Sequence, residues 1–104
     1  MNQVDSKGLE ALQRAGAVVL LDVRTDAEVA RGMIAGARHI PLNQLPGRYM
    51  ELDPQIVTVV YCQSGARSAQ ATAWLEQQGF KQSYNLQGGV LAWLREGLPL
   101  TAAG

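Results

Sequence analysis

The sequence is poor in the residues that disulfides, metal sites and charge-driven contacts require. Its 104 residues include one cysteine and one histidine. An internal disulfide is therefore excluded, and we expect no bound metal, since a zinc site of the usual kind takes four ligands. Nine basic residues balance nine acidic ones, which argues against a nucleic-acid partner. No apolar run approaches the roughly 20 residues that cross a bilayer, so we also expect no membrane partner.

The composition that remains is typical of one globular domain. Hydrophobic residues make up 47% of the chain and charged residues 17%, as in ordinary folded proteins. We predict a single domain over residues 1–104, with a core over about 5–99 and a frayed tail over 100–104. The first residues, MNQVDSKGLE, do not follow the pattern of a signal peptide. We therefore expect a soluble, cytoplasmic monomer.

Segments typical of strands and helices alternate along the chain. This order predicts an α/β fold in which a parallel sheet is flanked by helices on both faces. In such sheets, functional sites lie beyond the carboxyl ends of the strands. The predicted strands are 18–21, 39–40, 56–61 and 83–86, and the predicted helices are 5–15, 25–30, 66–78 and 89–96, with a further short helix over 42–50 that Pro46 would interrupt. The apolar stripe predicted on the helix over 66–78 consists of Ala66, Ala69, Ala73 and Trp74.

The single thiol lies at the end of the clearest predicted strand. Residues 56–61, IVTVVY, lead into the loop CQSGARS and then into a predicted helix. Free backbone N–H groups at the start of a helix, together with the helix dipole, form a cradle for an anion. Gly65 allows the sharp turn that such a loop requires. We therefore predict that Cys62 has a lowered pKa and acts as a nucleophile.

The other side chains of this loop fit the same interpretation. Arg67 adds a positive charge that would bind an anionic substrate or support the loop, and Ser64 and Ser68 add hydroxyl groups. A lone cysteine is more often a small buried apolar residue than a nucleophile. The position between a strand and a helix, with a glycine and an arginine nearby, favours the reactive role.

Two further strand ends carry polar residues or glycines. Asp22 and Arg24 follow one strand, and we expect them to brace the site rather than react. The spacing of Arg24 and Glu28 also suits a simple i,i+4 ion pair. Gly88 and Gly89 follow another strand, and we expect them to permit close packing of the last helix.

Three segments of the chain, in the expected order, resemble the signature motifs of the single-domain rhodanese family. The resemblance extends from about residue 5 to residue 99. Because three separate motifs agree, the match is specific. The segments are LLDVRTDAEVARGMIAGARHIPL at 20–42, VVYCQSGARSAQATAWLEQQGF at 59–80 and NLQGGVLAWLREGLP at 85–99.

The resemblance implies a fold and an activity. The fold would be a five-stranded parallel sheet flanked by helices, with a short additional strand near Gln3 and Val4. Cys62 would attack the outer sulfur of a small anionic donor such as thiosulfate and carry that sulfur as a persulfide. A thiophilic acceptor, cyanide or a thiol, would then take the sulfur without any cofactor. A protein could also serve as the sulfur donor or acceptor.

The resemblance also assigns roles to individual residues. Cys62 would be the catalytic nucleophile, and Asp22, Arg24 and Ser68 would support the site. Met33 stands where the family pattern usually has a histidine with no catalytic role, so we expect little functional loss. Thiosulfate is a dianion, and a loop with more than one positive side chain would suit it better. The residues that would bind the donor, mainly through backbone N–H groups, are Gln63, Ser64, Gly65, Ala66 and Arg67.

Two alternatives of other classes remain. Cysteine-dependent phosphatases also place a cysteine and an arginine in a loop before a helix, but with the spacing C-x5-R. Here the spacing from Cys62 to Arg67 is C-x4-R, which is short for a phosphate. The second alternative is a binding module without turnover, or a relay that passes sulfur between proteins. The retained cysteine argues against a binding module without turnover. It does not separate a sulfur relay from a metabolic enzyme.

Overall fold

A parallel sheet of five strands runs through the computed structural model, which describes residues 1–102. Its spatial order is β1-β5-β4-β2-β3, so β4, which leads to the single cysteine, lies at the centre. The strands are β1 (Asn2–Val4), β2 (Val18–Asp22), β3 (Arg38–His39), β4 (Val57–Tyr61) and β5 (Ser83–Leu86). The helices are α1 (Ser6–Ala15), α2 (Asp26–Val29), α3 (Leu45–Arg48), α4 (Ala66–Gln77) and α5 (Gly89–Arg95).

Helices cover both faces of the sheet, as the alternation of elements predicts. Successive side chains of a strand point to opposite faces, and the two hydrophobic clusters follow this rule along β4. Val60 belongs to the cluster that contains Leu45 of α3 and Leu75 of α4. Val59 belongs to the cluster that contains Leu9 of α1 and Val90 of α5. The predicted fold class is confirmed.

Two features of the fold concern the edge strand β1 and the segment around Pro46. β1 pairs with β5 at the edge of the sheet, where the family resemblance implied a strand near Gln3 and Val4. The predicted helix over 42–50 is divided into a 3-10 turn, α3 and a second 3-10 turn. Pro46 lies in the first turn of α3, where its missing N–H group leaves no helical hydrogen bond unmade.

The buried face of α4 is not the alanine stripe predicted for it. Ala66 and Ala73 are exposed, whereas the buried residues are Ser68, Ala71, Thr72 and Leu75. Small alanines carry little information about which face is buried. The hydroxyl groups of Ser68 and Thr72 can lie in the core because both are hydrogen-bonded, and that of Thr72 donates to the carbonyl oxygen of Ser68 over 2.7 Å.

The chain stays attached to the domain beyond residue 99. Thr101 and Met33 exchange two backbone hydrogen bonds of 2.8 and 2.7 Å, and Leu100 packs against the cluster around Leu9. Of the tail predicted over 100–104, Leu100 and Thr101 therefore contact the domain, and residues 103–104 lie outside the described part. None of the helices within residues 1–102 is long and apolar enough to cross a membrane.

Candidate active site

The strand ends that the sequence marked as candidates meet around the loop that begins at Cys62. Asp22 is paired with Tyr61 in the sheet register, so the chain after β2 lies beside the chain after β4. The start of α5 lies against the other side of the loop, because the backbone N–H of Val90 donates to the carbonyl oxygen of Cys62 over 3.0 Å. Leu91 makes the equivalent 3.0 Å bond to the carbonyl oxygen of Gln63. Parallel strands bring these residues to one edge of the sheet.

The sulfur of Cys62 lies at the base of a cradle of hydrogen-bond donors. Its Sγ accepts hydrogen bonds from the backbone N–H of Gly65 over 3.1 Å and from the N–H and the hydroxyl of Ser68 over 3.3 Å each. The Cys62 residue is 1% exposed. The donors belong to the turn before α4 and to its first residues, where backbone N–H groups have no helical partner. The loop therefore directs three hydrogen-bond donors to the sulfur, and its capacity to bind an anion stays a prediction.

These donors outweigh the effect of burial on the thiol. Burial raises the pKa of Cys62, but the hydrogen bonds from the Ser68 hydroxyl and from backbone N–H groups, including those of Ser68 and Gly65, lower it. The net effect is a pKa below the ordinary value for a thiol. A lowered pKa favours the thiolate, the nucleophilic form of cysteine.

Gly65 and its neighbours give the loop its shape. Gly65 has a φ of +105°, in the region that favours glycine, and a Cβ there would lie 3.4 Å from the backbone nitrogen of Gly88. Gln63 is half-buried, and Ser64 and Ala66 are exposed at the rim of the loop. Of the loop residues that the sequence singled out, Gly65 and Ser68 therefore contact the sulfur directly.

Asn85 lies behind the cradle, in a role that sequence reasoning missed. The hydroxyl of Ser68 contacts the side-chain oxygen of Asn85 as well as Sγ of Cys62. The side-chain nitrogen of Asn85 donates to Gln3 over 3.2 Å and to the carbonyl oxygen of Gly65 over 3.3 Å. The one available signal was a polar Asn inside a strand that is buried on both faces. Asn85 therefore holds the cradle backbone at Gly65, and its oxygen shares the single hydroxyl proton of Ser68 with Sγ of Cys62.

Asp22 and Arg24 form a buried ion pair beside the loop. Arg24 donates to both carboxylate oxygens of Asp22, the shortest bond being 2.7 Å, and also to the carbonyl oxygen of Gly32 over 2.8 Å. The two side chains are 3% and 0% exposed. The ion pair suggested between Arg24 and Glu28 is wrong, because Arg24 turns inward to the carboxylate that ends β2.

Glu28 instead reaches across to the cysteine loop. Its two carboxylate oxygens accept hydrogen bonds of 2.7 and 2.8 Å from the two terminal nitrogens of Arg67. These bonds, with those from Thr25, lower the pKa of Glu28 to about 2. Glu28 also accepts a bond from the backbone N–H of Thr25 over 3.1 Å and completes the capping box at the start of α2. Its contact with Arg67 spans 39 positions and has no local signature.

A groove of about 780 Å³ opens beside Arg67. Its walls are mostly apolar, and Arg67 and Asp26 are the two charged residues among those that line it. Trp74 forms part of the wall and packs edge to face on Tyr49, with ring centroids 5.1 Å apart. Within residues 1–102 there is no cluster of three metal-ligating side chains.

Comparison with known proteins places this chain in a family. Residues 5–96 match the family model described as "Rhodanese-like domain". A protein of Allochromatium vinosum named "Sulfurtransferase" is 46% identical over 103 residues, which is 98% of this chain and 96% of that protein. The "Thiosulfate sulfurtransferase GlpE" of Stutzerimonas stutzeri is 37% identical over 83 residues, covering 80% and 75% of the two chains. The crystal structure of a rhodanese-related protein from Thermoplasma volcanium superposes with a TM-score of 0.88 at 30% identity and covers 97% of this chain and 98% of that one.

Proposed function

The chain belongs to the rhodanese-like domain family, and from this membership and the geometry of Cys62 we propose that it is a sulfurtransferase of the thiosulfate sulfurtransferase type. It moves a sulfane sulfur from a small anionic donor such as thiosulfate to a thiophilic acceptor, cyanide or a thiol. The observation that carries the proposal is the cradle, in which Sγ of Cys62 accepts three hydrogen bonds at the start of α4.

The proposed reaction has two half-reactions, each a displacement at sulfur. The Cys62 thiolate attacks the outer sulfur of thiosulfate, a new S–S bond forms, and the bond between the two donor sulfurs breaks. Sulfite leaves with the electron pair, and Cys62 is left as a persulfide anion. Cyanide then attacks the terminal sulfur and leaves as thiocyanate, which regenerates the thiolate. No general base is needed, because the nucleophile is already ionised.

The donors around the sulfur support both half-reactions. The N–H groups of Gly65 and Ser68 stabilise negative charge on the thiolate, and donors placed at the edge of the same turn would stabilise the persulfide. Gln63, Ser64 and Ala66 would contribute the rim of this donor site. The proposed intermediate is the persulfide on Cys62 itself, with no further cofactor.

The proposal also covers the cellular compartment, the oligomeric state and the sulfur donor and acceptor. We propose a cytoplasmic monomer, because a single unpaired thiol that must stay reduced suits a reducing compartment. The donor and acceptor are small molecules in this scheme. A protein donor or acceptor would use the same persulfide and would make the chain a sulfur relay.

The decisive experiment is the intact mass of the protein after incubation with thiosulfate, before and after cyanide. We expect a gain of one sulfur atom, about 32 Da, that cyanide removes. The matched control is Cys62→Ser, which changes one atom at the cradle and should neither gain mass nor form thiocyanate. Native protein that gains no sulfur from thiosulfate or from a small persulfide, or a serine variant with near-native activity, would refute the assignment.

The same preparation tests the two alternatives. A phosphatase would release phosphate from an aryl phosphate ester in a Cys62-dependent manner, and we expect no such release because the loop is one residue short. A binding module without turnover would take up no sulfur at all. A relay would take up sulfur and pass it to thiols, with weak turnover to cyanide.

A further inference from the structure

The cysteine loop has a single cationic side chain, and that cation is already neutralised. Both terminal nitrogens of Arg67 are bonded to the carboxylate of Glu28 over 2.7 and 2.8 Å. This two-bond arrangement is the strongest geometry available to an arginine and a carboxylate. The two side chains are only 36% and 27% exposed, so water screens the pair less than it would a pair on the open surface.

The other charges near the loop also cancel in pairs. Arg24 is buried and held by both oxygens of Asp22, and it cannot turn toward a ligand without leaving that carboxylate buried and unpaired. Among the residues that line the groove beside the loop, Arg67 is the one cation. A negatively charged sulfur donor that approaches Cys62 therefore meets backbone N–H groups and an arginine whose charge is balanced.

We infer that Glu28 is a positioning residue that sets the charge preference of the site: by holding Arg67 in a closed ion pair, it reduces selection for dianionic sulfur donors over monoanionic ones. The inference rests on the proposed sulfur transfer and names the donor class that the site favours, a sulfane sulfur compound with a single negative charge. Glu28 acts through Arg67 and does not touch the reacting sulfur.

The charge of Glu28 affects a doubly charged donor more than a singly charged one. The interaction of a donor with the charge of Glu28 scales with the donor's own charge. Removing that one negative charge must therefore help a dianion twice as much, in free energy, as a monoanion at the same place. In rate terms, the gain for the dianion is about the square of the gain for the monoanion.

Two small donors of similar shape allow this test. Thiosulfate carries two negative charges, whereas methanethiosulfonate has a methyl group in place of one oxygen and carries one. Cys62 attacks the terminal sulfur of either, and the leaving groups are sulfite and methanesulfinate, each departing with the electron pair. Comparing variant with native protein for each donor cancels the different reactivities of the two donors.

The variant is Glu28→Gln, measured at low ionic strength with excess cyanide, so that kcat/KM for the donor reports the first half-reaction. Glutamine keeps an oxygen that can accept the bond from Thr25 at the start of α2. We expect kcat/KM to rise about twofold for methanethiosulfonate and about fourfold for thiosulfate, with both gains shrinking at high salt. Glu28→Asp keeps the charge and should keep the native ratio between the two donors.

Glu10→Gln is the matched control. It removes one negative charge from an ion pair with Arg14, on α1, which covers the face of the sheet opposite to α4. We expect it to leave both rates unchanged. Equal gains for both donors with Glu28→Gln, or no gain for thiosulfate, would overturn the inference, as would Glu28→Asp behaving like Glu28→Gln.

Failure of the inference and failure of the proposed function look different. If Cys62 does not accept sulfur, the native protein is inactive with both donors, and Glu28→Gln is equally inactive. If Glu28→Gln does not fold, the native protein decides the question through its salt dependence. If the ion pair between Glu28 and Arg67 is closed, kcat/KM should depend only weakly on salt concentration, and equally for both donors. A markedly steeper fall in kcat/KM with salt for thiosulfate refutes the inference.

Discussion

Substituting Gly89 by alanine tests whether the start of α5 fixes the position of Cys62. Gly89 has a φ of +55°, and a Cβ built there would lie 2.5 Å from the carbonyl oxygen of Cys62 and 2.6 Å from that of Gln63. Those same oxygens accept the N–H groups of Val90 and Leu91. The added methyl group would therefore press between the first turn of α5 and the backbone of the loop.

The size of the effect follows from these distances. Ordinary contact between a carbon and an oxygen requires about 1 Å more than the space available, so the loop or the helix must move. The left-handed conformation costs an alanine about 1 kcal/mol, and the forced shift adds about 1–3 kcal/mol. We expect Gly89→Ala to lower the free energy of unfolding by about 2–4 kcal/mol, which a protein of ordinary stability survives.

Gly97→Ala provides the matched control, because Gly97 has a φ of +78° and open space where its Cβ would lie. Gly97→Ala should lower the free energy of unfolding only by the cost of placing an alanine in the left-handed conformation, about 1 kcal/mol. The assay is urea denaturation of both variants, with the rate of Cys62 alkylation at fixed pH as a second measurement. Movement of the loop weakens the bonds to Sγ, so alkylation of Gly89→Ala at a pH below the ordinary thiol pKa should be slower than in the control. Equal destabilisation by the two substitutions would refute the close-approach argument.

Three further predictions concern charged groups and hydrogen bonds. Ser68→Ala removes a donor to Sγ and should raise the pKa of Cys62, which moves the pH profile of alkylation to higher pH; an unmoved profile would contradict the role of the hydroxyl. Asp22→Asn leaves the charge of Arg24 buried and unpaired, and urea denaturation should show a loss of about 3–5 kcal/mol, whereas a loss under about 1 kcal/mol would argue against it. Because the pKa of Glu28 in the folded protein is about 2, below its ordinary 4.5, its ion pair stabilises the fold above that ordinary value and loses this contribution as the pH falls toward 2. Glu28→Gln should therefore lose less stability than the native protein across that range of pH, and equal losses would count against the ion pair.

The cradle was predictable because its parts are adjacent in the chain. Cys62, Gly65 and Ser68 belong to one continuous segment between an apolar strand and a helix, and the geometry of a strand-to-helix turn brings the backbone N–H groups of that segment to one point. The position of the segment relative to the sheet followed from the alternation of strands and helices.

Spacing along the chain predicted the wrong ion-pair partner for Arg24, because two carboxylates were available to it. Arg24 and Glu28 are four positions apart, as in a helical ion pair, but Arg24 follows a buried strand and takes the nearest buried carboxylate, that of Asp22. Once Arg24 is engaged, Glu28 is free to pair with Arg67, which the start of α4 brings close to it. The face of α4 was mispredicted for a related reason, since the value of a buried hydroxyl depends on partners elsewhere in the fold.

The sequence by itself determined the fold class, the family and the position of the single cysteine between a strand and a helix, because these depend on hydrophobic periodicity and on motifs that are contiguous in the chain. Tertiary structure alone decided which carboxylate neutralises Arg67, that Asn85 lies behind Ser68, and that Gly89 approaches the carbonyl oxygen of Cys62. Those contacts join residues brought together by the strand order and register of the sheet. Hydrogen bonds and ion pairs act over a few ångströms, so the partner of each group depends on how the whole sheet is assembled.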